Sequence, residues 1–328
     1  MEAQRVAVKK PVIAHLTYLL SGTLLTVSIP IRRNAPGASM IRIFTWSLCL
    51  LVTGSATPAV VDSIELSHPL SVDGISMGAD GDIYAAGGWS GPFICRVAPD
   101  GGVTTIARGL AGPILAITGP QGDLFVSEFN AARVSRIDST GKKTVVAETP
   151  QGPTGLVFDD QGALYVAGFG SPQGEGDTVT RVGPDGEVSE FVSGHGIQAP
   201  VGLALDDDGL LYVANSKDGK IHRVSSEGQT SLIATIPGPN NFFNTGHLVF
   251  AKGALYASGN GTHKVYRITL DGEVSVVAGI GKPGEVDGDK ATALLRIPNG
   301  LTVSQDGDEL YVVSGAGRSN MSIRRIRL

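Results

Sequence analysis

The sequence predicts an all-β fold, a six-bladed β-propeller of four-stranded antiparallel blades, on three observations. A unit typified by PTGLVFDDQGALYVAG, Pro153 to Gly168, occurs six times. Each copy runs on into two further short β-rich segments, which makes four strands per unit. The last unit stops one strand short, and an unassigned strand-like run stands ahead of the first.

The copies begin at Val72, Pro113, Pro153, Pro200, Asn244 and Pro298. Their shared aromatic falls at Tyr84, Phe125, Tyr165, Tyr212, Tyr256 and Tyr311, 40–55 residues apart. Within the typical copy, GLVF and ALYVA flank the polar turn Asp159-Asp160-Gln161-Gly162, which is a hairpin signal. A third run follows in every unit: ICRVA, RVSRID, TVTRVG, KIHRVS, KVYRIT and SIRRIR. A second tight turn, such as Pro99-Asp100-Gly101-Gly102 or Pro184-Asp185-Gly186-Glu187, leads to a fourth run such as VTTIA or VSEFV. The sixth unit ends at Arg327-Leu328, after its third strand. The run from Val60 to Leu66, about residues 60–66, is expected to supply the missing strand and close the ring. An open ring would leave two bare sheet edges.

Length alone would allow two domains in 328 residues, but the repeat argues for one closed array over residues 60–328. The 45 glycines and the low charged fraction of 17% suit a protein built from tight turns. The formal net charge of -5, with no basic stripe, argues against nucleic acid as a partner. The two cysteines are Cys49, in an apolar N-terminal run, and Cys95, inside the first repeat, so disulfides are not expected to hold the fold. A monomer is expected.

Residues 40–59, MIRIFTWSLCLLVTGSATPA, carry one Arg, an apolar run from Ile43 to Val52 and the small residues Gly54-Ser55-Ala56. That pattern reads as a cleaved secretory signal peptide and a secreted or periplasmic protein. The run is short of the roughly 20 apolar residues that span a bilayer, so a stable membrane anchor is not expected, although an uncleaved anchor is the alternative. Cys49 follows Trp46-Ser47-Leu48 and lacks the small residue of a lipobox. A good signal starting at Met40 implies that Met40 is the initiator and that residues 1–39 belong to an over-extended reading frame.

The stretch VSVVAGIGKPGEVDGDKATALLRIPNGLTVSQDGDELYVV, from Val274, resembles an NHL repeat in its AG…PG…DG…A…PxGL…LYV pattern. Residues 60–328 as a whole resemble the NHL and SMP-30/gluconolactonase-like six-bladed propellers. LFVSEFNAARVSRID, Leu124 to Asp138, is similar to the repeat of streptogramin-lyase-type propellers. These families include lactonases, phosphotriesterases, lyases and interaction modules, so the resemblance implies the fold more closely than the reaction.

The repeat also sorts the faces. Strand 1–2 and strand 3–4 turns are short and stereotyped, whereas strand 2–3 loops and blade connections vary, with long examples at 168–177, 236–245 and 279–297. Function is expected on the variable face, at the mouth of the central channel. The PxG positions near that mouth are Asp73, Ile114, Thr154, Val201, Thr245 and Asn299. The SMP-30 resemblance implies a divalent metal held there by a Glu and several Asn or Asp side chains. Only Asp73 and Asn299 can ligate well, and calcium wants about six to eight oxygens. Two readings stand: a site for Ca²⁺ or another divalent cation at Asp73 and Asn299, or two side chains that cap turn amides. No organic cofactor is expected.

Two residues break the repeat. His247 stands where the other copies have Ile75, Ala116, Leu156, Leu203 and Leu301. A polar residue in a repeated apolar position tends to mark function, and His247 reads either as a catalytic base or ligand or as a histidine bonded to a backbone carbonyl. Glu128 is the only charge at the end of a second strand, where the others have Gly87, Gly168, Asn215, Gly259 and Ser314. The streptogramin-lyase-type repeat carries a Glu there, which implies a catalytic role; the NHL repeat implies a turn cap. Asn130, Thr154, Asn215, Asn260, His263 and His195 are candidate substrate-binding residues, with Lys217, Trp89 and Arg318 on the same face. No GxSxG, phosphate loop, HExxH or CxxC occurs. The expected function is that of an exported hydrolase or lyase acting on a small ester, lactone or cyclic substrate at the channel mouth. The alternative is a non-catalytic propeller binding a protein, peptide or glycan on the same face.

Overall fold

The computed structural model describes residues 12–20, 23–31, 60–239, 243–316 and 321–328. The expected initiator Met40, the signal peptide over 40–59 and Arg318 lie outside the described residues. Val12–Leu20 and Thr23–Ile31 pair antiparallel as a hairpin within a separate N-terminal unit.

The second unit is a six-bladed propeller of four-stranded antiparallel sheets. Blade 1 is Ile75–Met77, Ile83–Ala86, Phe93–Val97 and Val103–Arg108; blade 2 is Pro113–Thr118, Leu124–Glu128, Arg133–Ile137 and Lys143–Glu148. Blade 3 is Pro153–Phe158, Leu164–Gly168, Thr178–Val182 and Val188–Ser193; blade 4 is Pro200–Leu205, Leu211–Asn215, Lys220–Val224 and Thr230–Thr235. Blade 5 is Leu248–Ala251, Ala254–Gly259, Lys264–Thr269 and Val274–Ala278. Blade 6 is Leu301–Val303, Glu309–Ser314, Ser322–Arg327 and, from the other end of the chain, Val61–Ile64.

Burial falls from the channel outward. Leu211–Asn215 is buried at every position, whereas Lys143–Glu148 on the outside is mostly exposed. The apolar clusters lie between adjacent blades: Ala204, Tyr212 and Ile221 of blade 4 pack with Leu248, Leu255 and Ile268 of blade 5. Each blade therefore covers one face of the next, which is why a polar turn every few residues is compatible with a continuous core. The turns are made as their residues dictate. Asp159 Oδ1 accepts the amides of Gln161 and Ala163 at 3.1 and 2.7 Å, and Asp206 Oδ1 accepts those of Asp208 and Leu210 at 3.0 and 2.9 Å. Cys95 is a buried free thiol whose pKa burial pushes up.

The ring closes as the strand count requires. Ile64 stands opposite Ile323 and Val61 opposite Ile326. Asp62 takes two bonds from Arg325, at 2.6 and 3.0 Å, and these outweigh partial burial and hold its carboxyl below the usual range. A second latch comes from the long connection over 279–297. Val61 exchanges backbone hydrogen bonds with Gly288 at 2.9 and 3.0 Å. Arg324, fully buried, donates to the carbonyls of Leu294 and Val286 at 2.9 and 3.0 Å and pairs with Glu285 and Asp287 at 3.2 and 2.6 Å. Ala293 and Leu295 join the core. The longest connection is thus largely committed to closing the ring. Among the described residues no helix is long and apolar enough to cross a membrane.

Candidate functional site

Two rings of residues form the channel mouth. The first is the PxG ring: Asp73, Ile114, Thr154, Val201, Thr245 and Asn299 all line one small cavity of about 60 Å³. The second comes from the residue just after each second strand, and supplies Phe129, Phe169, Ser216 and Asn260 to the same cavity. Trp89 and Phe243 complete the rim. A wider cavity of about 410 Å³ opens beside it, sharing Asp73, Trp89, Phe243, Asn260 and Asn299.

One side of this mouth is aromatic. Trp89 stacks on Phe129 with centroids 4.9 Å apart, Phe129 meets Phe169 at 6.1 Å, and Phe169 lies parallel to Phe243 at 6.5 Å. Asn130 is exposed, and its Nδ2 donates to the Trp89 carbonyl at 3.1 Å, so it steadies the rim rather than the floor.

The other side is polar, and ring closure assembles it. Asn299 Nδ2 donates to Asp73 Oδ1 at 2.7 Å across the join between blades 6 and 1, and Asn260 Nδ2 donates to Asn299 Oδ1 at 3.1 Å. The carboxylate fixes the orientation of both amides, because an acceptor at Asp73 demands a donor from Asn299. Asn260 Oδ1 has no hydrogen-bond partner among the described residues. Gly246 makes this packing possible, since a Cβ there would fall 2.5 Å from Asn299 Oδ1 and 2.7 Å from Asn260 Oδ1. His247 lies one layer deeper. It lines the narrow end of an apolar funnel of about 650 Å³ that opens on the opposite face, together with Ile75, Leu156, Leu203 and Leu301. Its Nε2 has no hydrogen-bond partner among the described residues and stands 3.7 Å from Asp73 Oδ1.

A resident divalent cation does not fit this donor set. One carboxylate is present, its Oδ1 already receives an amide N–H, and no group of three His, Cys, Asp or Glu suited to a metal gathers among the described residues.

Glu128 does not join the mouth. Its side chain is fully buried, with Oε1 accepting from Arg133 Nε at 3.0 Å and Ser135 Oγ at 2.5 Å, and Oε2 accepting the Ala111 amide at 2.7 Å. Burial pushes its pKa up, but the bonds from Arg133, Ser135 and Ala111, with the charge of Lys143, outweigh that and hold it below the usual range. Its register partners do the same work: Asn215 Oδ1 accepts the Gln198 amide at 3.0 Å, and Ser314 Oγ accepts that of Arg296 at 2.9 Å. The geometry favours the turn-cap reading of Glu128, and gives Asn215, a candidate substrate-binding residue by sequence, the same capping contact. Thr154 and Thr245 line the cavity but donate their hydroxyls to the carbonyls of Pro200 and Asn215, at 3.0 and 2.6 Å, stitching neighbouring blades. His263 Nδ1 accepts the Ile297 amide at 3.0 Å, and His195 is exposed on a turn; neither lines the mouth cavities. His222, which the repeat did not single out, is buried with neither ring nitrogen partnered among the described residues, and burial lowers its pKa.

The fold and mouth define a six-bladed propeller with a small-molecule-sized site at the channel entrance. The chain belongs to the virginiamycin B lyase family, whose model matches residues 61–278. Among solved structures, the chain is similar to virginiamycin B lyase from Staphylococcus aureus at 21% identity and a TM-score of 0.57, over 77% of this chain and 79% of that one. A catalytically inactive variant of that lyase with quinupristin aligns at 16% identity and TM-score 0.58, over 82% and 99% of the two chains. A gluconolactonase from Xanthomonas campestris aligns at 15% identity and TM-score 0.64, over 82% and 89%. At these identities the structural matches speak for the fold. No curated protein matches the chain in sequence.

Proposed function

We propose that this protein is a lyase- or hydrolase-like enzyme for a small cyclic ester or lactone held at the channel mouth, with Asp73 as the acid–base group and His247 placed behind it. One observation carries this reading. Asp73 is the one charged residue among the six PxG positions and His247 the one polar residue at its own repeat position, and the fold sets them 3.7 Å apart. Breaks in a repeat that converge in space are hard to explain by packing alone.

The chemistry follows from the atoms present. Asp73 Oδ1 is held by Asn299, and the carboxylate as a whole, 27% exposed, faces the mouth. It can take a proton from a bound substrate, becoming the neutral acid, and return it to the leaving oxygen; His247 Nε2, 3.7 Å from Oδ1, is the ionisable group beside it. In a lyase route the proton leaves a carbon and the ring C–O bond breaks without water; in a hydrolase route the same base activates water. The aromatic arc supplies apolar contact for the rest of the ring.

Quinupristin, a lactone panel and aryl esters form the test set. Asp73→Asn is expected to lower kcat by about 10²–10⁴-fold, the usual weight of an acid–base group. Undiminished turnover in that variant would remove the assignment. A second reading, a non-catalytic binding propeller, draws support from the mouth's single carboxylate, and ligand binding without turnover of any member would establish it.

Export belongs to the same proposal and rests on the apolar run and small residues over 40–59. N-terminal sequencing of the native protein should find a start shortly after Ala56, whereas a mature chain that retains residues 1–39 contradicts it.

A further inference from the structure

We propose that the mouth selects ligands bearing an organic cation, an ammonium carried next to an apolar or aromatic group. This rests on the reading of the mouth as a ligand site and adds the charge class of the ligand.

The first observation is the balance of charge. Asp73 is the only charged side chain among the described residues that line the two mouth cavities; Lys217 lies outside that lining, near Phe169. Oδ1 of Asp73 receives Asn299, while Oδ2 accepts no hydrogen bond from a described residue. An anionic ligand would meet uncompensated like charge, and a wholly neutral one would desolvate the carboxylate with only the Asn299 amide to offset its charge.

The second observation is the wall around it. Trp89 and Phe243, 39% and 44% exposed, both line the 410 Å³ cavity that contains Asp73. The arc from Trp89 through Phe129 and Phe169 to Phe243 therefore shares its cavities with the carboxylate. Aromatic faces attract cations through the ring quadrupole, most strongly where water is excluded, and they add apolar contact for the group that carries the charge.

The third observation separates an organic cation from a metal ion. Asn299 presents an N–H to Asp73 and its oxygen to Asn260, so the oxygens are not gathered around one point as a hard cation needs. A bulky, softly hydrated ammonium needs only the one carboxylate and the aromatic faces.

The test is calorimetric titration of the full chain with three probes of similar size: benzyltrimethylammonium, N-benzylacetamide and phenylacetate. Benzyltrimethylammonium is expected to bind about tenfold tighter than N-benzylacetamide, and phenylacetate weakest. Asp73→Asn should remove the preference for the cation, bringing it to the affinity of the amide, whose own binding does not weaken, with a melting temperature that shows the variant folded. Phe243→Leu should weaken the cation without reversing the order. Equal binding of all three probes, or tightest binding of phenylacetate, overturns the charge selection and leaves the mouth as a binding site. Binding of none of them overturns the reading of the mouth as well. Displacement of the cation by calcium at matched ionic strength assigns Asp73 to a metal and also overturns the proposal.

Discussion

A chain lacking residues 60–66 is expected to lose its cooperative unfolding transition. The closing strand carries more than its length suggests. It forms the outer ladder of blade 6, sets Val61 in the core, engages Arg325 and Arg327 through Asp62, and ties the 279–297 connection through Gly288. Each lost hydrogen bond costs about 1 kcal/mol, and exposing Val61 about 1.5–3 kcal/mol. Together these approach the roughly 5–15 kcal/mol that holds a typical domain folded. The deletion also bares the edge of Ser322–Arg327, with the aggregation hazard of an unpaired strand. Urea titration followed by far-ultraviolet circular dichroism reads the result. A transition with the midpoint and slope of the intact protein would show that the ring does not depend on this strand.

Replacing Glu128 by Ala is expected to cost about 3–5 kcal/mol of stability, the range for breaking a buried, hydrogen-bonded charge pair. Arg133, 27% exposed, can turn to solvent, but Ser135 is sealed and the Ala111 amide keeps no acceptor. The pH dependence has a definite sign. The folded-state pKa of Glu128 is depressed, so its contribution is complete above the ordinary glutamate range and is lost as pH falls through the folded value. The wild-type advantage over Glu128→Ala should therefore shrink in acid. Melting temperatures of both proteins across that range check it, and a gap that grows on acidification would contradict the capping role.

These two residue sets show what the sequence made legible. The blade count, the four strands and the closing strand followed from six copies in one register, because a period fixes neighbours without any knowledge of contacts. The site was harder to read. The repeat flagged Glu128 as an outlier at the end of strand 2, but side chains alternate across a strand, and that position points into the blade edge where it caps a connection. The next residue along faces the mouth, so the same ruler shifted by one gives Phe129, Phe169, Ser216 and Asn260. Phe243 could not be found this way, since it sits on a connection with no counterpart in the other units. Asp73 and Asn299 were recognised as neighbours through ring closure, yet the direction of the amide between them, which disfavours a metal, depends on atomic positions. The latch made by Arg324 was missed for another reason: in SIRRIR it takes the position of Cys95, Ser135, Thr180, His222 and Tyr266, just before the shared Arg, and its partners appear only once Glu285 and Asp287 fold back on it.

We propose that Asp73, and not Glu128, carries the chemistry, and a crossed comparison of the two variants separates them. Stability and turnover per folded molecule are measured for Asp73→Asn and Glu128→Gln against the same substrate. Asp73→Asn should keep its melting temperature and lose turnover, while Glu128→Gln should lose stability and keep the turnover of its folded fraction. The reverse pattern would place the chemistry at Glu128 and contradict this account.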